Sequence, residues 1–418
     1  MITKLDISNY KSIKSLSINL RPFMVLVGPN GAGKTNVVRA LELLGSLIQR
    51  GSTDPVREQG WAQIVHREQR PARGGLKLGA TFSLPRAHDR GARLEAQLSI
   101  TLKGKVGDHE VTVSAEEFRL KSETGRLWMK WSDSEFSQDI GSDANLWEQV
   151  VTLAPGRVSL KPSDLRERLK QRFEQRELFP TAPGQLKLLT RSLGYAFSQI
   201  IRQCAVTRLR LDASALRSDA RFETGGSRAL GSSGEGLPVA VDRLRGRSPE
   251  PAKEFSGILA ALREVYPRIE DVVPEPFAQG RVTLGFRERG IAEPIPLDGV
   301  SDGVLHALAL LIALEQRGSG ILAIEEPENA LHPWSVRKIL ERAQASSQRQ
   351  VLVTTHSETV VNAVVNPESL FIVEANEQGT TVDPATSKET ALSTILKESG
   401  QRLGDVWIDG SLGGVPQS

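Results

Sequence analysis

The sequence predicts an α/β fold in which a mainly parallel sheet covered by helices is joined to an antiparallel β lobe and a helical insertion. Three observations carry this expectation. A buried strand near the N-terminus runs into a glycine-rich turn and an amphipathic helix, short alternating runs fill residues 76–131, and strands alternate with helices from 282 to 374.

The opening residues 1–27 alternate like strands through Leu5, Ile7, Ile13, Leu16, Ile18 and Leu20, then reach the apolar run Phe23–Val27, which reads as a buried strand. After the glycine-rich turn, Asn36–Gln49 carries Val37, Val38, Leu41, Leu44, Leu47 and Ile48 at helical spacing. The runs 76–84, 93–102, 110–120 and 126–131 are separated by Gly, Pro or Asp turns, as in an antiparallel meander. Residues 136–200 turn polar and helical, with Leu165, Leu169 and Phe173 recurring every four residues behind Ser163 as a candidate N-cap. The stretch Thr224–Gly236, rich in Gly and Ser, is expected to be a mobile surface loop. Beyond it come a strand at 282–286, a helix at 303–316, a strand at 321–324, a helix at 333–346 and strands at 351–354 and 370–374. The resulting division is 1–135, 136–200 and 201–418, with no internal repeat.

Composition agrees with a globular chain of two or three structural units. Its 418 residues are 39% hydrophobic and 25% charged, with a mean hydropathy of −0.25, which excludes collagen-like, mucin-like and wholly disordered chains. Basic residues exceed acidic ones by three, so any nucleic-acid face must be local. The one cysteine, Cys204, cannot make an intramolecular disulfide or a cysteine metal cage, which suits a reducing, cytoplasmic setting. No signal-peptide core is present at the N-terminus, and the longest apolar stretch, Val304–Leu314, is broken by His306 and falls short of the roughly 20 residues of a membrane span.

The sharpest motif is Gly28-Pro29-Asn30-Gly31-Ala32-Gly33-Lys34-Thr35, followed by Asn36. It fits G-x-x-x-x-G-K-[ST] between a buried strand and a helix, the context a P-loop requires. Its glycines let successive N–H groups curl toward phosphate oxygens, Lys34 is expected at the β- and γ-phosphates of ATP, and the Thr35 hydroxyl is expected to ligate Mg²⁺. A second motif ends the strand 321–324 in adjacent carboxylates. Glu325 is expected to hold Mg²⁺ through water, and Glu326 to orient or deprotonate an attacking water. His356, just beyond Val351–Thr355, falls at the carboxyl end of another buried strand, where ligands of parallel sheets gather, and is expected to touch the γ-phosphate. Ser301-Asp302-Gly303 introduces the apolar helix 304–316, both as an N-cap and as an anion site at a helix N-terminus.

Taken together, GPNGAGKTN, SDG, IEEPENALHP and TTHS, in that order, resemble the ABC-type ATPase heads of the SMC, RecF and OLD group, and more closely the bacterial predicted AAA ATPases of the RecF-like branch. The segment Gly404–Pro416 also looks like the tail of that branch. The resemblance implies that Ser301, Asp302 and Gly303 form a signature motif reading the γ-phosphate of the opposite subunit, that Asn329, Ala330 and Leu331 form the D-loop, and that His356 is the switch histidine. It further implies a homodimer with two ATPs between its heads. Departures bear on the function. No secure Q-loop glutamine is found, Gln63 being a guess beside Trp61, a candidate buried anchor. The signature reads SDG and no membrane partner is encoded, which disfavours a transporter ATPase, and the 62 residues after His356 are too few for a fused TOPRIM nuclease.

Between Arg202 and Arg247 nine arginines face five acids, a stretch suited to tracking DNA phosphates or to a solvated face with ion pairs; Arg217 or Arg221 could instead reach ATP. Two functions follow. One is an ATP hydrolase whose nucleotide-dependent dimerisation acts on DNA, in genome maintenance or defence. The other is an ATP-holding scaffold or sensor that controls a separately encoded effector such as a nuclease, with 136–200 as its docking surface.

Overall fold

A computed structural model describes residues 1–66, 75–84, 94–105, 110–123, 125–132, 135–140, 194–218, 220–221, 230–246, 251–277, 280–316, 318, 320–346, 349–377, 379–388 and 402–414. In chain order the first elements are strands β1 (Ile2–Tyr10), β2 (Ile13–Asn19) and β3 (Phe23–Val27), then helices α1 (Lys34–Arg50), α2 (Asp54–Gln59) and α3 (Trp61–Ile64). The meander follows as β4 (Leu76–Leu84), β5 (Leu94–Gly104), β6 (Val111–Lys121), β7 (Arg126–Ser132) and β8 (Glu135–Ile140). After it come α4 (Gly194–Gln203), β9 (Val206–Leu209), α5 (Ala213–Leu216), β10 (Ala220–Arg221), α6 (Leu237–Arg245) and α7 (Lys253–Val265). The remainder is β11 (Ile269–Phe277), β12 (Arg281–Glu288), β13 (Ile295–Pro296), α8 (Asp302–Glu315), β14 (Ile321–Glu325), α9 (Pro333–Ala345), β15 (Gln350–Thr355), α10 (Glu358–Asn362), β16 (Leu370–Asn376), β17 (Gly379–Pro384) and α11 (Leu403–Ile408).

Two compact units share this chain: Met1–Arg21, Gly31–Val206 and Glu374–Val382 form the first, and Pro22–Asn30, Thr207–Val373 and Asp383–Ser418 the second. The first is built on an antiparallel sheet in the order β2-β1-β4-β5-β6-β7-β8. Period-two alternation explains it: in β5, Leu94, Ala96, Leu98, Ile100 and Leu102 are buried while the residues between them are more exposed. Trp61 is buried against Gly104, where a side chain would collide with its ring, and Gln63 is exposed.

The second unit holds the parallel strands, adjacent in the order β16-β3-β15-β14, with β9 next to β14. Their side chains are apolar on both faces, Phe23–Val27 and Ile321–Glu325 being buried throughout, as expected of a sheet covered on two sides. Helix α8 is buried from Val304 to Leu314, so its lack of a polar stripe reflects contact with α7, α9 and the core on every side. Each buried leucine there contributes about 1.5–3 kcal/mol relative to exposure.

Three local expectations change. Strand 282–286 is the core of β12, which pairs antiparallel with β11, β10 and β13 in a separate sheet. Residues 136–140 belong to a strand, and most of the expected helical insertion, Ser163–Leu178 included, lies outside the described residues. Within Thr224–Gly236, residues 224–229 lie outside the described set, but 230–236 is pinned instead of mobile: Ser232 and Ser233 carbonyls accept the amides of Arg210 (2.7 Å) and Asp212 (2.9 Å), and Leu230 is buried. Val415 and Pro416 of the tail motif also lie outside the described residues. Among the described residues no helix is long and apolar enough to cross a membrane.

Candidate functional site

Strand register brings three motifs to one edge of the parallel sheet. Val27 pairs with Thr355, Leu26 with Thr354, and Thr354 in turn with Glu325, so the residues that follow, Gly28, His356 and Glu326, leave the carboxyl ends of adjacent strands. The histidine strand β15 lies between the P-loop strand and the carboxylate strand. At about 4.8 Å per strand, Glu325 stands roughly 10 Å from β3.

Glycine at 28 is required by close approach: a Cβ there would lie 2.2 Å from the Val373 carbonyl oxygen. At Gly33 two demands coincide, since φ is +106° and a Cβ would lie 2.1 Å from Thr380 Oγ1. Thr380, which the sequence did not single out, donates from Oγ1 to the Ala32 carbonyl at 2.9 Å. With that proton committed, the 2.7 Å contact between Ser12 Oγ and Thr380 Oγ1 has serine as donor, and Ser12 accepts from Asn36 Nδ2 at 2.7 Å. A one-way chain of donors therefore runs Asn36 to Ser12 to Thr380 to the P-loop backbone. Helix α1 begins at Lys34 with Gly33 as N-cap and no side chain to take its first amides, the arrangement that accommodates an anion. Lys34 is 7% exposed, a low-dielectric setting that strengthens its pull on phosphate.

At the carboxylate strand, Glu325 is buried and accepts from Arg208 at 3.2 Å. Glu326 turns away in the left-handed region at φ +52°, its N–H donating to the Thr354 carbonyl at 2.8 Å. Asn329 Nδ2 donates to Glu326 Oε2 at 3.2 Å and Arg210 stands 3.7 Å from the same oxygen. His356 Nδ1 faces Glu326 Oε1 at 3.7 Å and Glu328 Oε1 at 3.8 Å. Glu328 in turn accepts from Thr355 Oγ1 at 2.6 Å.

In the signature turn, Ser301 occupies the N-cap position of α8 but its side chain makes no capping hydrogen bond and is exposed, as is Asp302. Gly303 is hemmed in: a Cβ would lie 2.6 Å from Tyr266 Oη and 2.8 Å from the Ala330 carbonyl, so the signature packs directly on the D-loop segment. Burial raises the Tyr266 hydroxyl above its usual range, against the opposing effect of its bond with Ser335, keeping it neutral at this contact. Arg217 donates to the carbonyls of Leu297 (2.9 Å) and Val300 (2.8 Å) and pairs with Asp302. The side chain of Arg221 lies outside the described residues.

The roles of Ser12, Glu328, Thr355 and Thr380, and the pairing of Arg208 with Glu325 and of Arg210 with Glu326, were not read from sequence. Arg208 lies in β9 and Arg210 just beyond its last residue, Leu209. Thr35 and Glu325 supply hard oxygen donors of the kind Mg²⁺ prefers, and the glycine cradle with its uncapped helix suits a polyphosphate.

A sequence profile described as "AAA domain, putative AbiEii toxin, Type IV TA system" matches residues 23–362, well over half of the chain. The chain belongs to this AAA-domain family. The AAA domain so defined runs from the P-loop strand past His356. Old nuclease of Escherichia phage P2 is 43% identical over 70 residues, covering 15% of this chain and 12% of that protein. OLD nuclease of Thermus scotoductus is 39% identical over 44 residues, covering 10% of this chain and 8% of that protein. The chain thus spans about an eighth or less of the curated relatives it matches. Among solved structures, the SmcHead bound to the C-winged helix domain of ScpA is 13% identical with a TM-score of 0.46, covering 91% of this chain and 97% of that one. The SMC head domain from Thermotoga maritima is 14% identical with a TM-score of 0.41, covering 92% and 98%.

Proposed function

We propose that the AAA domain binds and hydrolyses ATP and acts as a nucleotide-dependent dimerisation switch on DNA, in genome maintenance or defence. What carries the reading is the shared carboxyl edge from which the P-loop, the Glu325–Glu326 pair and His356 emerge. In this reading Gly28–Asn36 cradles the phosphates, Lys34 neutralises the β- and γ-phosphates, and Thr35 and Glu325 hold Mg²⁺. Mg²⁺, when bound, supplies charge neutralisation to the phosphates. Glu326 accepts a proton from water as that water attacks the γ-phosphorus in line, the bond to the β–γ bridging oxygen breaks, and ADP and phosphate leave. His356 stabilises charge on the γ-phosphate oxygens. Ser301, Asp302 and Gly303 are assigned to the γ-phosphate of a second copy, an assignment supported by the exposure of Ser301 and Asp302 and by the packing of Gly303 on Ala330.

A second reading, an ATP-holding scaffold or sensor that controls a separately encoded effector such as a nuclease, is favoured by one observation. Arg208, Arg210, Arg217 and Arg245 are each engaged with a carboxylate, which leaves fewer arginines of 202–247 for DNA phosphates. The family description, with its putative toxin, fits either reading.

Steady-state ATPase rates of wild type and Glu326→Gln, with and without linear duplex DNA at two salt concentrations, separate them. Glu326-dependent turnover accelerated by DNA, with the gain lost as salt rises, supports the DNA switch. Glu326-dependent turnover indifferent to DNA supports the effector reading. Turnover equal in both proteins overturns the assignment of Glu326. Glu326→Gln is expected to accumulate as a larger assembly with ATP and Mg²⁺ on size-exclusion chromatography, and a monomer there overturns the dimer.

A further inference from the structure

We propose that Glu328 is a positioning residue for His356: the two form a carboxylate–imidazole pair that fixes the proton on Nδ1 and presents Nε2 to the nucleotide. The proposal rests on the reading above, in which His356 meets the γ-phosphate.

The hydrogen-bond directions at Thr355 are not free to vary. The Ser357 amide can only donate, and it donates to Thr355 Oγ1 at 2.9 Å, so the threonine proton goes to Glu328 Oε1 at 2.6 Å. Thr355 is fully buried at the end of β15, one residue before the histidine, and therefore ties the Glu328 carboxyl to the strand that carries His356. The turn after β14 completes the approach. Glu326 lies in the left-handed region, Asn329 N–H donates to the Glu326 carbonyl at 3.1 Å, and Leu331 N–H to that of Glu328 at 3.3 Å, so both carboxylates face the same ring nitrogen.

Their surroundings give them different tasks. Glu326 is also met by Asn329 and Arg210. The Glu328 side chain is 13% exposed, and its second oxygen, Oε2, is buried with no hydrogen-bond partner among the described residues. Such an oxygen is costly to leave unpaired. His356 Nδ1 at 3.8 Å is beyond bonding distance, but a shift of about 1 Å brings its N–H into a normal bond with the carboxylate. A carboxylate on one ring nitrogen selects the tautomer, orients the ring and stabilises the imidazolium that contacts an anion through the other nitrogen.

The test compares Glu328→Gln, Thr355→Val, His356→Ala and the double variant Glu328→Gln/His356→Ala in ATP turnover, alongside ¹⁵N-histidine NMR of wild type and Glu328→Gln. Glu328→Gln is expected to lower kcat on the order of tenfold or more with little change in KM for ATP, and to cost nothing further once His356 is alanine. Thr355→Val, which removes the anchor without touching either partner, is expected to lower kcat in the same direction. The His356 signal is expected to report Nδ1–H in wild type and to move toward the other tautomer in Glu328→Gln. An equal loss from Glu328→Gln with and without His356, or an unchanged His356 tautomer, overturns the proposal. Absence of turnover in wild type overturns the hydrolase reading, while the NMR comparison still decides the Glu328–His356 pair.

Discussion

Asp302, in the exposed signature turn, is ion-paired to Arg217, whose guanidinium also takes the carbonyl oxygens of Leu297 and Val300. The half-exposed carboxylate adds little by itself, but the two charged hydrogen bonds hold the backbone leading into Ser301. Arg217→Ala is expected to leave ATP affinity of the protomer intact and to lower turnover by roughly ten- to a hundredfold, about 1.5–3 kcal/mol. A fluorescent ATP analogue and an ATPase assay check this; wild-type turnover in the variant removes Arg217 from the signature.

The two P-loop glycines with positive φ should respond differently to alanine. At Gly31 a Cβ meets nothing within 4 Å, so Gly31→Ala costs backbone strain alone, about 1 kcal/mol. At Gly33 the strain adds to collision with Thr380, and a loss of about 3 kcal/mol or more is expected. Chemical denaturation of both variants measures the difference. Equal losses contradict the packing of Thr380 on Gly33.

Cys204 is buried, and burial pushes its thiol well above the usual range. Thiolate is the reactive form, so at pH 8 native protein should label slowly with a disulfide reagent and reach one equivalent only in denaturant. Rapid stoichiometric labelling of native protein would contradict this burial.

Asp212 caps α5, accepting the amides of Ser214 (3.0 Å) and Ala215 (3.1 Å) and the Ser214 hydroxyl, and these bonds hold its carboxyl below the usual range. A depressed folded-state pKa contributes stability above the unfolded value of about 3.9, and that stability is lost as pH falls through the folded value. The difference in Tm between wild type and Asp212→Ala should therefore be constant near neutrality and shrink as pH drops below about 4. A difference that grows on acidification contradicts the sign.

Legibility followed the range of the interaction. Phe23–Val27, the helix after it and the runs of the meander were readable because burial on a strand or helix repeats every two or 3.6 residues within one short window. Strand β11 was not, because Pro274 and Pro276 break the usual strand signature; it lies at the end of its sheet's strand order, where proline is tolerated. The P-loop glycines carried their own signal, whereas their support did not: Thr380 reaches Ala32 across 348 positions, and Arg208 reaches Glu325 across 117. Glu328 was visible as an acid in a run of acids; its distinction from Glu326 lies in Thr355 and in a buried oxygen, neither of which has a local pattern.

The donor chain ending on Ala32 has an effect on the opposite side of the same peptide plane. In a trans peptide the carbonyl and the following N–H point in opposite directions, so clamping the Ala32 oxygen to Thr380 aims the Gly33 N–H the other way. The peptide cannot flip without breaking that bond, and Ser12 and Asn36 behind it resist the rotation. One amide of the cradle is thereby aimed by two side chains, Thr380 and Ser12, that lie outside the Gly28–Asn36 segment, and the entropy of orienting it is spent during folding, before any nucleotide arrives.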